Sequence, residues 1–109
     1  MNELVSMDGE PVQPWMLREI TASAGSIELA VVLLREGIRN LSDEQALEIA
    51  TTQMGILIGT APRALQGDTA LTCAYHNLRS ISARASNRGD LASQLKAQTE
   101  INKLLAAAQ

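Results

Sequence analysis

The sequence predicts an all-α fold, a compact bundle of four to five short helices with antiparallel neighbours. Three observations carry that expectation. Apolar residues recur at helical spacing through several segments separated by Gly, Pro or Asn. A Ser or Asp suited to capping stands at the start of the four longest of these segments. Finally, the chain has no Phe, one Trp and one Tyr against 16 Ala and 27 Leu, Ile or Val. Such a core is aliphatic, and its helices must approach closely.

The length of 109 residues fits one domain, and 46% hydrophobic residues is a globular composition. Residues 1–13 predict a mobile acidic N-terminal arm, followed by a single helical domain over 14–109. A hairpin about Asp8-Gly9 is the alternative for the arm, weakened by Pro11.

Pro14 opens the first helix, because its missing N–H is not needed in a first turn. Trp15, Met16, Leu17 and Ile20 supply apolar surface, and the helix fades by Ala24, before Gly25.

Ser26 caps a second helix over 26–39, and Glu28 in its first turn suits the helix dipole. Ile27, Ala30, Val31, Leu33, Leu34 and Ile38 form its stripe, while Leu29 and Val32 fall outside it. A helix apolar beyond its stripe packs on two sides. Arg35 and Arg39 lie one turn apart on the polar face. Their mutual repulsion, a few tenths of a kcal/mol, calls for an acidic partner.

The third helix, 42–58, has the clearest signals. Ser42 and Gln45 match a capping box, and Asp43 and Glu44 complement the positive helix end. Ala46, Leu47, Ile49, Ala50, Met54, Ile56, Leu57 and Ile58 predict an apolar half-cylinder. Glu48, Thr51, Thr52, Gly55 and Gly59 form the remaining strip, mostly small and open to close approach by another helix. The plainer reading is that the two glycines weaken the helix end, at about 1 kcal/mol each.

Pro62 stops that helix and begins a single turn through Gln66, with Leu65 inward. Asp68 or Thr69 caps a fourth helix over 69–85. Its stripe is Leu71, Ala74, Leu78, Ile81 and Ala85, with Tyr75 at the margin and Thr72, His76 and Arg79 opposite. Arg88-Gly89-Asp90 spells an adhesion tripeptide, but a helix break followed by an N-cap accounts for it. The fifth helix spans 90–107, with Leu91, Leu95, Ile101, Leu104 and Leu105 on its apolar side.

Charge narrows the functional classes. The net charge is −3, which argues against a generic polyanion binder. The sign is unevenly spread: residues 1–62 carry three Arg against nine acids, and residues 63–109 carry six basic residues against three acids. An acidic half of one chain meeting the basic half of another is the sharper reading of that asymmetry, and a solvated mixed surface the plainer one. Cys73 is the only cysteine, so an intrachain disulfide is excluded and a reducing cytoplasm is the expected compartment. The longest apolar run, Leu29 to Leu34, is far too short for a membrane span.

No constellation predicts catalysis, a metal or a cofactor. Cys73 and His76 are three apart and can be neighbours on a helix, yet no CxxC, second His or acid after Asp68 on that helix supports them. Glu44 and Glu48 lie one turn apart, as acidic first turns commonly do. Arg63, Arg79, Arg84 and Arg88 make the most basic region and the best nucleic-acid candidate. Aromatic stacking residues and a helix-turn-helix pattern do not accompany it.

The leading expectation is a non-enzymatic interaction, regulatory or adaptor protein acting as a cytoplasmic homodimer. Its interface candidates are Leu29, Val32, Arg35 and Arg39 on the second helix and Thr51, Thr52, Gly55 and Gly59 on the third. Size, acidity and helical pattern resemble those of many small bacterial or phage-encoded regulators and secretion chaperones, a likeness of type that carries no residue across. The alternative is a nucleic-acid-binding regulator using Arg63, Arg79, Arg84 and Arg88.

Overall fold

A computed structural model describes residues 3–108. Five helices follow in order: α1 Pro14–Ala24, α2 Ile27–Gly37, α3 Asp43–Gly59, α4 Thr69–Asn87 and α5 Leu91–Ala107. A 3-10 turn at Arg63–Leu65 links α3 to α4. Among the described residues there are no strands, only isolated bridges of Val5 with Pro11 and Ser6 with Ile38. The fold class is therefore all-α, as the periodicity predicts.

The helix starts follow the expected chemistry. Ser26 Oγ accepts from the Leu29 N–H at 3.2 Å. Ser42 and Gln45 form the reciprocal capping box, at 3.0 and 3.1 Å. Asp68 accepts from the Leu71 N–H, and Asp90 from the Ser93 N–H, each at 3.1 Å. Two stops depend on glycine: Gly25 and Gly89 take φ of 78° and 71°, where a side chain would be strained.

The N-terminal segment is folded onto the domain. Leu4 O accepts from the Val12 N–H at 2.9 Å, and a tight turn through Asp8-Gly9 joins the two limbs. The hairpin docks on the end of α2: Val5 O accepts from the Arg39 N–H at 2.8 Å and Gly37 O from the Met7 N–H at 3.1 Å. Leu4 and Val12 pack into the adjoining core. Pro11 is tolerated because its bridge needs no N–H from it. Met1, Asn2 and Gln109 lie outside the described residues.

The core is three small clusters in chain order. Ala30, Leu34, Ile38, Leu41, Ala46 and Ala50 close the α1–α2–α3 layer. Ala22, Met54, Leu57 and Cys73 join that layer to α4. Ala61, Leu65, Tyr75 and Ile101 seal α4 against α5. Helix α5 packs chiefly on α4, which itself packs on α1 and α3. The molecule is accordingly flat, 40 × 33 × 19 Å. Its radius of gyration is 14.9 Å, where a compact chain of this length has about 13 Å.

Three stripes differ from expectation. On α3, Leu47 and Ile56 are exposed and Gln53 is buried instead. The buried arc centres on Ala46, Ala50 and Leu57, and Leu47 and Ile56 lie at its two outer edges. On α4, Thr72 is buried and Ile81 exposed, because α4 is covered on one side by α1 and α3 and on another by α5. Burial of Thr72 is tolerated because its Oγ1 donates to Leu65 O at 2.8 Å. On α5, Ala97, Ile101 and Leu104 face inward, leaving Leu91 and Leu95 outside.

Gln53 Oε1 is buried with no hydrogen-bond partner. An orphaned acceptor costs about 1–3 kcal/mol. Gln53→Met keeps the unbranched shape and removes the orphan, so it is expected to raise stability by about 1 kcal/mol. Urea unfolding checks this: a lower midpoint for the variant would show that the amide contributes favourably where it lies.

Candidate functional site

An open groove of about 720 Å³ lies between α1, the end of α3, α4 and the start of α5. That volume is in the range of ligand-sized clefts. It is open to solvent, a surface groove and not an enclosed cavity.

Each wall has a local reason. On α1, Trp15, Arg18, Glu19 and Ala22 recur at spacings of three and four and so share one face. Trp15 stands 53% exposed at the rim. The end of α3 contributes Ile56, Leu57 and Thr60. Its last carbonyls are satisfied locally: Thr60 Oγ1 donates to Ile56 O and His76 Nε2 to Leu57 O, both at 2.8 Å. Helix α4 brings His76, Arg79, Ala83 and Ser86, again three or four apart, and Gln94 closes the α5 side.

The groove is weakly cationic. Arg18 and Arg79 line it, and neither has a carboxylate within ion-pair distance among the described residues. Arg79 is steadied instead by Tyr75, whose hydroxyl oxygen accepts from its Nη1 at 3.0 Å and whose ring centroid lies 5.9 Å from its Cζ. Glu19 is paired with Arg84, which ties α1 to α4. Asn77 Nδ2 adds a second tie by donating to Ala22 O at 3.0 Å.

The four arginines of the basic region are thus differently employed. Arg84 pairs with Glu19 and Arg88 with Asp90, Arg79 lies on Tyr75, and Arg63 stands exposed on the 3-10 turn. The Asp90 carboxyl is held below its ordinary pKa, first by the Ser93 hydroxyl and backbone N–H and then by Arg88. Cys73 is buried against Met54, with its Sγ 3.7 Å from the thioether sulfur. Burial pushes its thiol pKa up, with a backbone hydrogen bond from Gly25 opposing, so the thiolate is disfavoured. The imidazole of His76 turns to the α3 carbonyl, away from a role as base for that thiol.

The predicted interface residues occupy two other faces. Leu29 and Val32 are 46% and 49% exposed on α2. Arg35 is drawn to Asp43 and to Leu41 O, and Arg39 donates to Met7 O at 2.8 Å, so both arginines pin loops of their own chain. Helix α2 ends at Gly37, which takes Arg39 off the helix and away from any contest with Arg35. Thr51, Thr52, Gly55 and Gly59 are exposed on α3, and nothing lies within 4 Å of where a side chain at either glycine would begin. No element of the described chain covers that strip.

The chain matches no family model, no curated protein and no solved structure. Among the described residues, no three His, Cys, Asp or Glu side chains gather as a metal site would require, and no helix is long and apolar enough to cross a membrane.

Sequence reasoning missed the groove because its walls come from four helices. The signal that was available is Trp15, the one Trp of the chain, placed in the first helical turn beside Arg18. On α5 the set Ala97, Ile101, Leu104 and the set Leu91, Leu95 form two separate apolar lines, and only the first is covered.

Proposed function

We propose that this chain is a non-enzymatic interaction protein that works as a homo-oligomer, in the first instance a dimer. One observation supports this above the others. The chain exposes 6927 Å², whereas a folded monomer of 11.7 kDa exposes about 5,900 Å². The excess goes with the flat shape of the chain, and it leaves surface available to a partner.

The composition of that surface points the same way. Among the described residues nine large apolar side chains are exposed, and two neighbouring pairs of them, Leu29 with Val32 on α2 and Leu91 with Leu95 on α5, form local apolar surface. Alanine makes up seven of the sixteen buried hydrophobic residues described, so the core offers modest burial that association would supplement. Sedimentation velocity across the micromolar range tests the reading. The expected mass is twice 11.7 kDa, and a monomer throughout that range would overturn self-association.

A further inference from the structure

We infer that the groove between α1, α3, α4 and α5 receives an acidic amphipathic helical segment of a partner protein. The apolar side chains of that segment lie on the groove floor, and its carboxylates meet Arg18 and Arg79. This goes beyond the self-association proposed above and does not depend on it.

Charge carries the first step. The groove lining holds two arginines, Arg18 and Arg79, and one carboxylate, Glu19. The Glu19 charge is already met by Arg84. Arg35, Arg84 and Arg88 each have a carboxylate partner, whereas Arg18 and Arg79 have none among the described residues. Two unpaired guanidinium groups thus line one concavity, and the described chain supplies no acid to complement them. Arg79 is also held in place, with the Tyr75 hydroxyl oxygen accepting from its Nη1 at 3.0 Å and the Tyr75 ring beside it. An oriented guanidinium loses less freedom on meeting a carboxylate, and its remaining N–H groups are open to one.

Apolar surface carries the second step. Ala22 and Leu57 are buried and floor the groove, while Trp15 and Ile56 stand exposed beside it. On α1, Trp15 and Ala22 stand one turn to either side of Arg18, and on α4, Ala83 stands one turn after Arg79. Each of these walls therefore carries an arginine with apolar surface one turn away. The matching ligand is a helix with Leu at three- and four-residue spacing and Glu one turn from them, laid apolar face down.

Other occupants fit less well. Small ligands are usually covered over most of their surface, and this groove is open to solvent. A nucleic acid draws on several phosphate contacts and on base stacking. Here Arg84 and Arg88 are engaged by Glu19 and Asp90, the chain has one Trp, and its net charge is −3. The acidic start of α3 in a second copy offers Glu44, Leu47 and Glu48, all exposed, but Leu47 is its single large apolar anchor, since Ala46 and Ala50 are buried in its own core. A separate segment presents a whole apolar row.

Trp15 is the only Trp and lines the groove, so its emission reports occupancy. The probe is a synthetic, Trp-free, helix-forming peptide with Leu at the spacing above and Glu between. Its controls are the same peptide with Lys for every Glu, and a short oligothymidylate. The acidic peptide is expected to shift Trp15 emission saturably to shorter wavelength, and the two controls to leave it unchanged. Arg18→Gln with Arg79→Gln is expected to weaken the acidic peptide by at least about tenfold. Arg63→Gln, at an exposed position outside the groove, should leave the affinity as it was. Because Arg79 lies on Tyr75, circular dichroism checks the double variant; if its helix content falls, Arg18→Gln alone makes the test, with a loss of about threefold. No saturable shift, equal binding of the Lys peptide, or affinity undiminished in the arginine variants would overturn the proposal. Tighter binding of the oligothymidylate would overturn it in favour of nucleic acid. A native dimer that dissociates on Arg18→Gln with Arg79→Gln would overturn it in favour of a second copy. A monomeric native protein that binds the acidic peptide would end the self-association reading and leave this one standing.

Discussion

Leu65→Ala is expected to destabilise the protein by about 2–5 kcal/mol. The Leu65 side chain is fully buried with Ala61, Tyr75 and Ile101, where the 3-10 turn meets α4 and α5. Truncation removes the transfer free energy of the lost carbons and leaves a cavity that relaxes only in part. The surroundings make collapse difficult. The Leu65 carbonyl is already held by Thr72 Oγ1, and the turn is fixed by the Leu65 N–H donating to Pro62 O at 2.9 Å. In a chain of this size the loss corresponds to a melting point lower by about 10 °C or more. Amide exchange should localise the effect. Helix α5 relies on this cluster and on α4, so its protection should fall further than that of α2. A destabilisation below about 1 kcal/mol, or equal loss of protection in α2 and α5, would show that α5 is held elsewhere.

The parts of the fold legible in the sequence are those specified locally. Caps at Ser26, Ser42, Asp68 and Asp90 are each written in one residue and its neighbour three places on, and each is present as a hydrogen bond. Stops at Gly25 and Gly89 need only a positive φ. What was not legible is which of two apolar lines on a helix is covered, because that depends on a neighbour distant in the chain. Thr72 illustrates the limit. It has a polar side chain at a polar-face position, but Leu65 O arrives from the preceding turn and makes burial affordable. Leu91 and Leu95 illustrate the converse: they read as core until Ala97 and Ile101 are seen to take the contact with α4. The N-terminal segment is a third case. Its charge suggests solvent, while the extended backbone of Ile38, just past the end of α2, offers an edge for it to pair with. The groove escapes the sequence for a related reason, since four helices build it and none of its walls is a sequence motif.

Leu34→Ala is expected to be more costly than Leu65→Ala, at about 3–5 kcal/mol, and to act on the whole molecule. Leu34 is fully buried at the centre of the α1–α2–α3 layer. Its buried neighbours include Ala30, Ala46 and Ala50, whose side chains have no rotamers with which to fill a void. The helices themselves would have to move, and the hairpin bonds at Val5, Gly37 and Arg39 hold the end of α2 in place. The cavity should therefore stay largely open, which puts the cost at the upper end of the range for such truncations. Because Leu34 and Leu65 belong to separate clusters with no shared member, their costs should add within about 0.5 kcal/mol. Urea unfolding of the two single variants and the double variant, at one protein concentration, decides the matter. Additivity with a common slope marks one cooperative domain built from independent clusters. A double variant clearly less destabilised than the sum would mean that Ala22, Met54, Leu57 and Cys73 transmit strain between the two ends.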